Sequence, residues 1–159
     1  ATLDTDVLAI VQRLLSRHRI PASALVIEFG ERQTFDLPSA IRRQLAAVAD
    51  LGVQLVLDDF GTGYASLDTI TRLPIHGVKL DRRFTTMVID GDREPVVVKT
   101  MVAMALEAGL TITAEGIETR AQCDRLIRLG CRLGQGYLYA LPQPADSLVN
   151  VLSASLAST

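Results

Sequence analysis

The feature that most restricts the fold is an alternation that runs the length of the chain. Short apolar, β-branched runs take turns with stretches of helical spacing, and only a few turn residues separate them. Apolar residues at 7, 8, 10, 11, 14 and 15 draw a helical stripe over Leu3 to Arg19, closed before Pro21, and "ALVIEF" follows as a strand ending near Glu28. A helix from Pro38 to Leu51, with Ile41, Leu45 and Val48 on its inner side, stops at Gly52 and feeds the strand "VQLVLDD". A short helix near "SLDTITRL" leads to the strand "HGVKLD", and after "RRFTTMVI" a long helix from Glu94 to Ala108 ends at Gly109. The strand "LTITAE", the helix "TRAQCDRLIRLG", the strand "CRLGQGYLYA" and a helix opened by "PADSL" complete the chain. This order predicts an α/β protein with about five parallel strands, because parallel neighbours need a crossover that a helix supplies. The strands read as continuous apolar runs, as burial on both faces requires.

In parallel α/β folds the chemistry gathers at the carboxyl ends of the strands. The first strand ends in Glu28, the second in Asp58-Asp59, the third in Lys79 with Asp81, the fourth in Glu115, and the fifth near Gln135. One polar strand end is ordinary, since every chain must leave the core somewhere; five in succession, four of them charged, point to a site. Converging carboxylates repel one another unless positive charge sits among them, and Lys79 alone is too little. One or two divalent cations are the simplest compensation, and all-oxygen ligation favours Mg²⁺, Mn²⁺ or Ca²⁺ over zinc. Adjacent aspartates point to opposite sides of an ideal strand, so the irregular chain after Asp58 is needed to turn Asp59 inward. Paired metals of this kind usually serve phosphoester chemistry. "FGTG" supplies flexible backbone beside them but lacks the spacing and lysine of a P-loop. His18 sits in a helix tail and His76 at the opposite end of its strand, so neither reads as a ligand.

The 159 residues, 48% hydrophobic and 21% charged with a formal net charge of −2, fit one globular domain. The balance gives no electrostatic reason to expect a nucleic-acid polymer or a membrane surface as partner. No apolar stretch reaches the roughly 20 residues of a membrane span, and the N-terminus lacks a signal-peptide pattern, so the chain reads as cytoplasmic. Cys123 and Cys131, without a Cys-x-x-Cys or nearby histidine, read as small buried hydrophobes.

"DDFGTGYASL", "VKLDRRF", "TAEGIET" and "LGCRLGQGYLYALPQP" resemble, in order and spacing, the signature segments of EAL-domain cyclic-di-GMP phosphodiesterases. "LVIEFGE" resembles the family's Glu-x-Thr-Glu segment, with Gly30 where threonine is usual. The resemblance implies a bacterial enzyme that linearises cyclic di-GMP to pGpG with two Mg²⁺ or Mn²⁺ ions in a TIM-like barrel. It implies Glu28, Asp58 and Asp59 as metal ligands, with Asp58 as the bridge, and Lys79 as the group that holds or polarises the attacking water. Glu115 would be ligand or general base, Gln135 would hold substrate or the water network, and Glu31 would anchor the loop after Asp59, which in the family also contributes to dimer contacts. Asp81 is a supporting candidate behind them.

The family's Glu-Ala-Leu segment and the asparagine after the next strand, both upstream of the acidic pair, have no counterpart here. A TIM barrel needs about 250 residues and eight strands, so residues 1–159 are expected to form a partial EAL domain, an incomplete TIM-like (β/α) barrel without its N-terminal strands. Open sheet edges and an exposed apolar interior would favour a homodimer or swapped oligomer, and the isolated chain is expected to have weak or no activity. A sensor or GGDEF cyclase domain is a natural companion in the parent protein. Two other readings stand beside this one. The first is a non-catalytic cyclic-di-GMP-binding or regulatory module. The second is a receiver-like signalling domain, in which an acidic pair and a lysine also sit at strand ends but in a different order along the chain.

Overall fold

The computed structural model describes residues 6–34, 37–62, 72–88, 95–144, 146 and 147. Its elements, in chain order, are α1 (Val7–His18), β1 (Val26–Gly30), α2 (Ser39–Asp50), β2 (Gln54–Phe60), β3 (Gly77–Leu80), α3 (Arg82–Met87), α4 (Val96–Glu107), β4 (Thr111–Ala114), α5 (Arg120–Leu129) and β5 (Leu133–Gly134). The five strands form one sheet, every pairing is parallel, and the order is β1-β2-β3-β4-β5.

That order decides between two architectures. Each strand lies beside its predecessor, so the chain advances in one direction as the wall of a (β/α) barrel does. An open doubly wound sheet of receiver type reverses direction, with order 2-1-3-4-5. The receiver-like alternative is therefore excluded.

The helices follow from capping and periodicity. Asp6 caps α1 by accepting the Ala9 N–H, and Arg19 closes it in the left-handed region at φ 52°. Val98, Val102 and Ala105, spaced by four and three residues, form the buried stripe of α4. Helix α1 packs on α2.

Alternation along the strands gives the sheet two unlike faces. Leu55 and Leu57 of β2, Val78 and Leu80 of β3, and Ile112 and Ala114 of β4 are buried in the main hydrophobic cluster. The intervening positions carry Glu28, Gln54, Asp58, Lys79, Thr111 and Thr113. The strands are thus apolar on one face only, in contrast to the continuous apolar character expected from sequence. The second face is mixed rather than an exposed apolar interior, with Val26, 46% exposed, and half-buried Val56 standing among its polar residues.

At the opposite end of the sheet from the acidic residues, His76 stitches β2 to β3, because its Nδ1 accepts the Leu55 N–H and its own N–H donates to the Leu55 carbonyl. Both cysteines are free and buried, and burial pushes the Cys131 thiol up to about 11.

Two sequence-based boundaries differ. The "RRFTTMVI" stretch, left without an assignment, forms α3 over six residues. The fifth strand is two residues long instead of spanning "CRLGQGYLYA". The Ile117 N–H donates to the Gln135 carbonyl and the Leu138 N–H to the Ile117 carbonyl, so residues 135–138 follow the loop after β4 instead of prolonging the ladder. A Cβ at Gly136 would lie 2.2 Å from the Ile117 carbonyl oxygen, an approach only glycine permits. Most of the short helix near "SLDTITRL" and of the helix after "PADSL" lies outside the described residues.

Leu57 is wholly buried at the centre of the sheet. Leu57→Ala is expected to lower the unfolding free energy by about 2–5 kcal/mol, read as a fall in the urea midpoint with the slope unchanged.

Candidate functional site

The site is built around one buried cation. Lys79 stands in the middle of the sheet on β3, flanked by β2 and β4, and is 7% exposed. Its Nζ lies 2.6 Å from Glu115 Oε1, 2.9 Å from Glu28 Oε2 and 3.4 Å from Asp58 Oδ1. Glu28 comes from β1, Asp58 from β2, and Glu115 from the residue after β4. One ammonium thus ties together four successive strands. Burial alone would push Lys79 down, but the hydrogen bonds and charges of Glu115 and Glu28, with the charge of Asp58, outweigh it and hold the ammonium well above the usual lysine range. Lys79 is a cation and hydrogen-bond donor throughout the physiological pH range, and it has no lone pair to act as a base.

The register explains how residues at different heights meet. Gly30 of β1 pairs with Asp58 of β2, and Glu28 lies two residues lower on the same face. The longer glutamate side chain compensates for that stagger. Above Glu28, a Cβ built at Gly30 would meet nothing within 4 Å.

Asp59 breaks the pleat. It is at φ 57°, one of two non-glycine residues in the left-handed region among those described, and its N–H donates to Asp58 Oδ1 at 3.0 Å. The pairing of β2 with β3 is irregular between Leu57 and Phe60 at this point. The break brings the Asp59 side chain to Asp81, just beyond the end of β3. Past the break the chain is held by Glu31, which is wholly buried just after β1 and accepts the Gly61 and Thr62 N–H groups at 2.9 Å each.

Asp81 caps α3, accepting the Arg83 N–H at 2.8 Å and Arg83 Nε at 2.9 Å. Burial pushes its carboxyl up, but the Arg83 backbone and guanidinium, together with the Asp59 side chain, hold it below its usual value. Gln135 stands just beyond β5, exposed, where its N–H donates to the Ala114 carbonyl.

Glu28, Asp58, Lys79 and Glu115 form one cluster, Asp59 and Asp81 a second beside it, and Glu31 secures the loop beyond. Gln135 joins none of these. It lines a separate cavity of about 160 Å³ with Arg82, Gly116, Glu118, Gly136 and Tyr137. The sequence reading missed two residues there, Arg82 and Glu118, which form an ion pair across the mouth of that cavity. The signal was present, because Glu118 stands three residues after Glu115 within "TAEGIET" and Arg82 follows Asp81 directly.

Parallel strands wound in one direction, with an acidic rim gathered on a buried lysine, define a barrel-type (β/α) protein whose site lies at the carboxyl ends of its strands. The chain belongs to the EAL domain family, whose model matches residues 2–142. It is 34% identical over 145 residues to the cyclic di-GMP phosphodiesterase RocR of Pseudomonas aeruginosa, a match that covers 91% of this chain and 37% of RocR. Among solved structures it resembles the PaMucR phosphodiesterase in complex with c-di-GMP, with a TM-score of 0.82 and 36% identity over 91% of this chain and 59% of that one. It also resembles a manganese/cy-diGMP complex of Klebsiella pneumoniae BlrP1, with a TM-score of 0.75 and 28% identity over 84% of this chain and 34% of that one. The chain therefore spans little more than a third of RocR's length. Among the described residues no helix is long and apolar enough to cross a membrane.

The donors at this rim fit a hard divalent cation, since they are all carboxylate oxygens and three of the side chains share a single ammonium. Among the described residues no three acidic, histidine or cysteine side chains make a complete cage. Mg²⁺ does not demand one, because it commonly takes one or two carboxylates and completes its shell with water and substrate phosphate.

Asp81→Ala is expected to cost about 1 kcal/mol at pH 7 through loss of the α3 cap. Because the Asp81 carboxyl is held low, its stabilisation is present above its usual value of 3.8 and is lost as pH falls through the folded value. The difference between wild type and variant in urea unfolding should therefore be full at pH 7 and shrink as the pH is taken well below 3.8.

Proposed function

We propose that this chain is the catalytic region of a cyclic-di-GMP phosphodiesterase that hydrolyses the cyclic dinucleotide to linear pGpG. The observation that carries the proposal is the buried Lys79 ammonium bound by Glu28, Asp58 and Glu115 at the carboxyl ends of the strands, in a chain of the EAL family. Glu28, Asp58 and Asp59 would hold divalent ions, Mg²⁺ or Mn²⁺, and such ions acidify a bound water and offset phosphate charge. The two aspartates bring different geometry to that task, because Asp59 stands at a left-handed turn and its side chain meets Asp81, whereas Asp58 meets Lys79.

Lys79, fixed as a cation, donates hydrogen bonds to the attacking water or to a phosphate oxygen, and it places positive charge where the transition state gathers negative charge. Glu115, in contact with Lys79, is the carboxylate suited to take the water proton. Water oxygen bonds to phosphorus, one ring P–O ester bond breaks, and the departing oxygen takes up a proton as a hydroxyl. Gln135, Arg82, Glu118 and Tyr137, gathered around the neighbouring cavity, offer hydrogen bonds and an aromatic face for the rest of the dinucleotide.

Since the described residues supply no complete cage, turnover by the 159-residue chain alone is expected to be slow, and single-turnover conditions with protein in excess are the suitable assay. Conversion of cyclic di-GMP to pGpG in Mn²⁺, abolished by EDTA and slowed on the order of 100-fold by Asp58→Asn, is the expected outcome. Binding without conversion, indifferent to Asp58→Asn, would instead establish a non-catalytic binding module. Absence of both binding and conversion overturns the proposal.

A further inference from the structure

Gln122 sits on the first turn of α5, away from the lysine cluster, and is 1% exposed. Its Oε1 accepts the Glu118 N–H at 2.8 Å, the Thr119 N–H at 2.8 Å and the Thr119 hydroxyl at 3.3 Å. In return its own N–H donates to Thr119 Oγ1, which completes a capping box. The other end of the amide is unmatched. Gln122 Nε2 and Thr85 Oγ1 are the buried side-chain atoms among the described residues that have no hydrogen-bond partner.

Helices α3 and α5 pack on each other. Arg82 bonds Glu118, 36 residues on, and Arg125 Nη1 donates to the Val88 carbonyl, 37 residues back. Flipping the amide gives no relief, because it would aim two donors at the N–H groups of Glu118 and Thr119. A buried donor left unmet weakens the fold, so the worth of this glutamine lies in what its oxygen does.

That oxygen holds half of a loop. The Glu115 N–H donates to the Leu80 carbonyl and the Ile117 N–H to the Gln135 carbonyl, which fixes the upstream half to neighbouring strand ends. The downstream half, Glu118 and Thr119, is fixed by Gln122 Oε1. Between them Gly116 turns at φ 66° directly against the Arg82 side chain.

We propose that Gln122 is a positioning residue: by holding the Glu118 and Thr119 amides it sets the path of the loop, and so places Glu115 against Lys79 and Glu118 against Arg82. What is positioned rests on the phosphodiesterase reading; that the loop is positioned does not. Glutamate is the alternative residue of the capping box and keeps the acceptor while removing the unmatched donor. Gln122→Met keeps the length and removes the acceptor.

The test compares the two variants by amide exchange, by the ¹⁵N resonance of the Lys79 ammonium, and by single-turnover hydrolysis of cyclic di-GMP in Mn²⁺. In Gln122→Met the Glu118 and Thr119 amides should exchange at least about tenfold faster while those of β4 keep their rates. The Lys79 resonance should move, and the hydrolytic rate should fall about tenfold with substrate affinity changed by less than about threefold. Gln122→Glu should restore all three. If Gln122→Met does not fold, Gln122→Asn, which draws the oxygen back by one methylene, replaces it with the same expected outcomes. Unchanged amide exchange and an unmoved Lys79 resonance in the folded variant, or failure of Gln122→Glu to restore them, would overturn the proposal. If the wild-type chain neither binds nor hydrolyses cyclic di-GMP, the phosphodiesterase reading fails, and the exchange and resonance data still decide the role of Gln122.

Discussion

Burying an ammonium ion costs several kcal/mol even after the protein relaxes, and the cost is met only when carboxylates surround the charge at close range. Lys79 meets that condition because β1, β2 and the end of β4 each deliver one. The interaction is therefore a constraint on the whole sheet. If any of the three carboxylates retreats, the ammonium is left undercompensated; if the ammonium is lost, three acids face one another across the rim. The packed layer of Leu55, Leu57, Val78, Leu80 and Ile112 beneath is the rigid base that holds the strands at the spacing the cluster needs.

The sheet order gives that cluster its geometry. In a sheet wound in one direction every carboxyl end lies on the same rim, and consecutive strands put their terminal side chains next to one another. Departures from regularity are concentrated on this rim. The left-handed Asp59 and the carboxylate of Glu31 beneath Gly61 and Thr62 replace a continuing strand with a held loop. Backbone outliers of this kind persist where surrounding structure over-determines them, and here Glu31 supplies that support.

Much of this was legible in the sequence because two signals were local. Strand and helix alternate with different periods, and the charged residues fall where apolar runs stop. Glu28, Asp58, Lys79 and Glu115 could be singled out without knowing the register. What escaped depends on contacts between distant segments. Only the approach of residues 135–138 to Ile117 shortens β5, and nothing in "CRLGQGYLYA" announces it except two glycines. The polarity of the second sheet face escaped because a threonine or glutamine in a short strand weighs little against its apolar neighbours. Gln122 had a readable signal, Thr-x-x-Gln before a helix, which names a cap but not the loop whose amides its oxygen holds.

The absence of a side chain at position 30 has a further meaning. Gly30 lies above Glu28, level with Asp58, and none of the described residues would come within 4 Å of a Cβ there. The rim therefore has a floor fixed by charge and a wall that is free to vary. A side chain grafted at this point would project toward whatever occupies the cleft without displacing an acid or the lysine. The charge-bearing residues and the contour that a ligand meets are thus separable at this position, so the shape of the cleft can change there while the chemistry beneath it stays as it is.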